Sequence, residues 1–95
     1  MELSERYIAQ LEKEGFLHIY EWQDAPGTVY PTHAHVGKVT IFVTDGSVLF
    51  DLNGEKKEIK APACFDVPVG VNHSTVVGPQ GAIYIVGEEI EGDSQ

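Results

Sequence analysis

Cysteine is almost missing. Cys64 stands alone among 95 residues, so no disulfide forms within the chain and nothing points to an oxidising compartment. Basic residues are scarce too: six Lys and Arg face fifteen Asp and Glu, a net charge of −9, which repels nucleic-acid phosphates and anionic membrane surfaces alike. Long apolar runs are absent. Runs such as Val76-Val77 and residues 82–86 are only a few residues long, far short of the ~20 residues of a membrane-spanning helix. Glu2, Ser4 and Glu5 follow Met1, which is no secretory signal. A cytoplasmic location is expected, with neither nucleic acid nor membrane as partner.

What is present suits a folded domain: 42% hydrophobic and 22% charged residues are too apolar for a disordered chain. A single domain of this size buries only about 60 to 70% of the surface its unfolded chain exposes, so a homodimer is the expectation.

A helical period occurs only at the start, where Leu3, Tyr7, Ile8 and Leu11 share one face. Glu2 and Glu5 suit its N-terminus, Ser4 is the candidate N-cap and Gly15 the stop. The chain then divides into an N-terminal helix (1–15), a β-domain (16–87) and an acidic tail (88–95). Within the β-domain, segments rich in Val, Ile, Thr, Tyr and Phe read as strands: 16–22, 28–35, 39–44, 47–52, 56–60, 64–67, 74–77 and 82–86. Turn residues separate them: Pro26-Gly27, Asp45-Gly46, Asn53-Gly54, Ala61-Pro62, Pro68-Val69-Gly70 and Gly78-Pro79 with Gly81. About eight short strands with Asp-Gly and Asn-Gly hairpins favour an all-β sandwich or antiparallel barrel.

His33 and His35 are one residue apart in an expected strand, and alternation puts both on one face. Such a pair alone is a weak metal signal, common on exposed strands. His73 follows the turn at Pro68-Val69-Gly70, where Pro sets φ and Gly permits positive φ. Gly27, five residues, His33, one residue, His35, then Gly46, and downstream Pro68-x-Gly70-x-x-His73, resemble the two motifs of the cupin superfamily. The resemblance covers residues 16–87. It implies an antiparallel jelly-roll β-barrel with His33, His35 and His73 turned inward to bind one divalent transition metal ion: iron, zinc, nickel, copper or manganese.

The departures from the family pattern matter as much. The glutamate expected three residues beyond the second histidine is Val39 here, and in the neighbouring register Thr40, a poor ligand, would lie on the opposite face. Pro62 and Val77 replace the Gly and Asn that bound the second motif. Three neutral imidazoles leave a divalent ion's charge uncompensated, which favours anionic ligands, and open coordination positions are characteristic of catalytic sites. The ligand set is similar to that of the thiol dioxygenases. No cysteine–tyrosine pair or substrate-clamping arginine matches, since the single arginine, Arg6, lies on the expected helix. The resemblance thus implies a metal-dependent, iron-type dioxygenase on a small chelating substrate, or a non-catalytic small-molecule or metal-binding module.

Alternation turns Val39, Ile41, Val43, Val48, Phe50 and Leu52 inward, and either Ile83 and Ile85 or Ala82, Tyr84 and Val86. Tyr30 and Tyr84 are candidate hydrogen-bond donors beside the site. Cys64 reads as a small buried hydrophobe, His18 as a surface or packing residue, and residues 16–22 as an edge strand suited to pairing across a dimer.

Overall fold

The structure, a computed structural model, describes residues 3–90. Glu2, the side chain of Leu3, and residues 91–95 of the expected tail lie outside the described residues. Helix α1 (Leu3–Lys13) precedes six strands: β1 (His18–Asp24), β2 (Val29–His33), β3 (Val39–Leu52), β4 (Glu55–Lys60), β5 (Ala63–Val67) and β6 (His73–Glu88). Ser4 lies inside the first turn of α1 and is not its cap. The helix ends at Gly15 as expected. Gly15 has φ +91°, and the bonds Gly15 N–H to Glu12 O (3.1 Å) and Phe16 N–H to Leu11 O (3.1 Å) form a Schellman motif.

Eight expected strands become six, because two turn signals act as bends within continuous strands. Asp45-Gly46 does not close a hairpin: β3 runs through it, paired antiparallel with β6 from Val39–Glu88 to Leu52–His73, with register shifts on both sides of Gly46. Gly78-Pro79 and Gly81 are crossed by β6 in the same way. At the bend the backbones nearly touch, and a Cβ on Gly46 would lie 1.9 Å from the Gly81 carbonyl oxygen. Asn53-Gly54 does form the expected tight turn, both residues at positive φ (52° and 92°), linking β3 to β4.

The bend folds the ladder into two facing halves. One carries β1, residues 82–88 of β6, residues 39–43 of β3, and β5; the other carries β2, residues 73–77 of β6, residues 48–52 of β3, and β4. Edge strand β1 pairs with β6 alone. Val39, Val43, Val48, Phe50, Ala82, Tyr84 and Val86 form the core between the halves, with Ile41 and Leu52 packed against it. This resolves the ambiguity in the last strand: Ala82, Tyr84 and Val86 face inward, and Ile85 faces out. Ile85 and Phe42 are covered by Leu11, Tyr7 and Ile8 of α1, so residues 82–88 are shielded on both faces. Cys64, expected to be buried, is exposed; it is opposite Phe42 on the outer face, while its neighbours Ala63 and Phe65 turn toward the core. No helix of the described residues is long and apolar enough to cross a membrane.

Because the Gly46 contact is backbone against backbone at φ +77°, Gly46→Ala should lower unfolding free energy by about 3 kcal/mol, read as a lower urea midpoint.

Candidate metal centre

The three histidines arrive from two elements that the sheet register joins. His33 ends β2 and His73 opens β6, and the two are directly opposite across the ladder, so their side chains share a face. His35 lies two residues past β2, and its carbonyl accepts the Gly70 N–H at 2.9 Å. This bond ties the loop after β2 to the loop before β6. The imidazole rings are 4.4 to 5.0 Å apart, centroid to centroid, and a ligand atom from each lies within 4.8 Å of the others. His35 (3% exposed) and His73 (4%) are buried, and His33 is half-buried. Among the described residues these three side chains form the converging group suited to a metal.

Backbone carbonyls orient two of the rings. His33 Nδ1 donates to Pro31 O at 2.8 Å and His73 Nδ1 to Val71 O at 3.3 Å. A carbonyl only accepts, so the proton is on Nδ1 and the Nε2 lone pair is left for a metal. His33 Nε2 is buried and has no hydrogen-bond partner. A buried polar atom without a partner is costly, and a divalent transition metal bound by three imidazoles would satisfy it. Burial pushes the His73 imidazole below its ordinary pKa, the Val71 carbonyl partly offsets this, and His35 and His33 lower it further. This favours the neutral His73 imidazole, the form that binds metal.

Val39 occupies the position where a glutamate was expected and is buried in the core (1% exposed). Thr40 points the other way, its Oγ1 3.0 Å from the Tyr7 hydroxyl under α1, as the alternation requires. The histidines open into a cavity of about 60 Å³ walled by Tyr20, Ile41, Val48, Phe50, Val67 and Val86. That volume holds a few water-sized groups beside an ion, not a drug-sized molecule.

Two carboxylates on the inner face were missed by the sequence reading. Asp24, at the end of β1, accepts hydrogen bonds from Tyr30 (2.8 and 2.9 Å), Tyr84 and Trp22 Nε1 (3.0 Å). Burial, with Asp24 alongside, raises the pKa of Tyr84; burial also raises that of Tyr30. Both phenols stay protonated at neutral pH and are already bonded. Glu88 was assigned to the acidic tail. It is instead the last residue of β6, 2% exposed, accepting the Tyr20 hydroxyl at 2.8 Å. Period-two alternation through Tyr20, Trp22 and Asp24, and through Tyr84, Val86 and Glu88, was the signal that would have found both.

The depressed pKa of His73 sets a pH dependence. Unfolded, its imidazole takes a proton near pH 6.5; folded, only at lower pH. In that interval the unfolded chain binds more protons, so the metal-free protein should lose stability as pH falls from about 6.5 through the folded value, seen as a falling melting temperature. A His73→Gln variant should show a smaller slope over the same range.

No family model matches the sequence, and no curated protein matches it. Comparison of folds finds many solved structures. A RmlC-like cupin from Shewanella frigidimarina NCIMB 400 is 26% identical, with TM-score 0.68, over 81% of this chain and 69% of that one. KdgF from a Halomonas species is 20% identical, with TM-score 0.66, over 81% and 73%. The polyketide cyclase RemF from Streptomyces resistomycificus is 25% identical, with TM-score 0.66, over 76% of this chain and 54% of that one, so this chain spans about half its length.

Proposed function

We propose that this chain, a small cupin domain, binds one divalent transition metal through His33, His35 and His73 and acts as an iron-type dioxygenase on a small, anionic, chelating substrate. The observation that carries this reading is the convergence of three buried or half-buried imidazoles, with the partnerless Nε2 of His33 among them, in the wall of a largely apolar cavity. When bound, iron(II) would supply open positions for a chelating substrate and oxygen; the same donors also accept zinc, nickel, copper or manganese, so the ligand set does not fix the metal.

The chain's own contribution is arrangement. Pro31 and Val71 carbonyls orient two ligand rings, and Ile41, Val48, Phe50, Val67 and Val86 keep the surroundings dry. A cavity of about 60 Å³ limits what enters to a small molecule or the end of a larger one. A second reading, binding without turnover, draws support from the tyrosines: Tyr30 and Tyr84 spend their hydroxyl protons on Asp24, which leaves no free acid or base among them.

Oxygen uptake separates the two readings. Iron(II)-loaded, tag-free protein should consume oxygen with at least one member of a panel of small thiols, diketones and phenols, and His35→Ala should lose at least about 100-fold of that rate. Metal uptake with no oxygen consumption across the panel would favour the binding module; no metal uptake would end both.

A homodimer is part of the proposal. Val29, Val76 and Leu49 sit side by side across β2, β6 and β3 on the outer face, 62%, 39% and 40% exposed, and pairing would remove this apolar rung from water. Light scattering should give twice the 10.4 kDa chain mass. Val76→Lys should shift it toward the monomer.

A further inference from the structure

Successive rungs cross the inner face of the sheet half that opposes His33 and His73. Trp22, Tyr84, Val43 and Ala63 form one; Tyr20, Val86, Ile41 and Phe65 the next; His18, Glu88, Val39 and Val67 the last. That last rung lies at the end of the barrel where the metal-site loops connect the two halves, and its Val67 lines the histidine cavity. The carboxylate absent from Val39 is therefore present one strand away, on the same face and the same rung. It is 2% exposed. Its hydrogen-bond donor, the Tyr20 hydroxyl at 2.8 Å, belongs to a residue that also walls the cavity.

A buried carboxylate is expensive unless a compensating charge or hydrogen bonds accompany it. A cation held by three neutral imidazoles has the opposite problem. We infer that Glu88 supplies from the last strand the negative charge that the metal site lacks at Val39, acting across the cavity wall and through Tyr20. The inference rests on the metal-binding reading above. Glu88 is a positioning residue, not a ligand, since the converging group among the described residues is the three imidazoles. Charge supplied beyond the ligand sphere strengthens the field at the cation without filling a coordination position, so the open side is preserved for substrate.

The test is zinc(II) and cobalt(II) affinity, by competition with a chromophoric chelator, on tag-free wild type, Glu88→Gln and Glu88→Asp, with melting curves of each metal-free protein. Gln keeps an oxygen for the Tyr20 hydroxyl and removes the charge; Asp keeps the charge. The expected result is a loss of about tenfold or more in affinity for Glu88→Gln, Glu88→Asp within about threefold of wild type, and metal-free Glu88→Gln melting no lower than wild type. A merely structural role, including service as a partner for His18 alone, would lower the metal-free melting temperature and leave affinity in place. Equal affinity in Glu88→Gln and wild type, or equal losses in Gln and Asp, would overturn the inference while the metal reading stands. Wild type that takes up no metal would remove both.

Discussion

The antiparallel pairing of β3 with β6 is the constraint on which the rest of this molecule depends. It runs from Val39–Glu88 to Leu52–His73 and bends where Gly46 meets Gly81. Backbone hydrogen bonds hold the ladder, but the absence of two Cβ atoms lets it fold over on itself. Every other strand then attaches to one limb or the other. The cavity is the space between the limbs, and the three histidines lie at the end opposite the bend. A residue that propped the bend open would enlarge and wet the cavity without touching a histidine.

Polar chemistry inside so small an enclosure has to be reconciled with desolvation. Three imidazoles are the cheapest ligating set to bury because each is neutral when deprotonated at one nitrogen, and two of them spend their other nitrogen on a backbone carbonyl. The carboxylates are treated differently. Asp24 is surrounded by phenol and indole donors and Glu88 by at least one phenol, so aromatic side chains serve as both apolar wall and hydrogen-bond donor. Tyr20, Trp22, Tyr30 and Tyr84, which line the cavity, explain how two acids are accommodated on the inner face beside it.

The histidines and most of the fold were legible in the sequence because alternation and spacing are local properties. Val39, Val43, Val48 and Phe50 were placed inward by counting in twos, and His33, His35 and His73 by two short motifs. The errors have a common cause in context beyond a few residues. Asp45-Gly46 has the composition of a hairpin, yet a long partner strand on the same side converts it to a bend. Cys64 has the chemistry of a core residue, but its parity in β5 sends it outward. Ser4 is a good cap for a helix that starts earlier. Glu88 looked like the head of a tail because Glu89 and later acidic residues follow, whereas pairing with His18 and Val39 carries the strand two residues past the expected 82–86.

The single bond from Gly70 N–H to the His35 carbonyl also bears on time. It fastens the loop that carries one ligand to the loop that precedes another, so neither swings away without breaking the connection. Residence of a metal ion held by the three histidines would then depend on a joint opening of both loops, with loading and release sharing one kinetic gate. Such a gate would make a bound ion slow to exchange even where its equilibrium affinity is moderate.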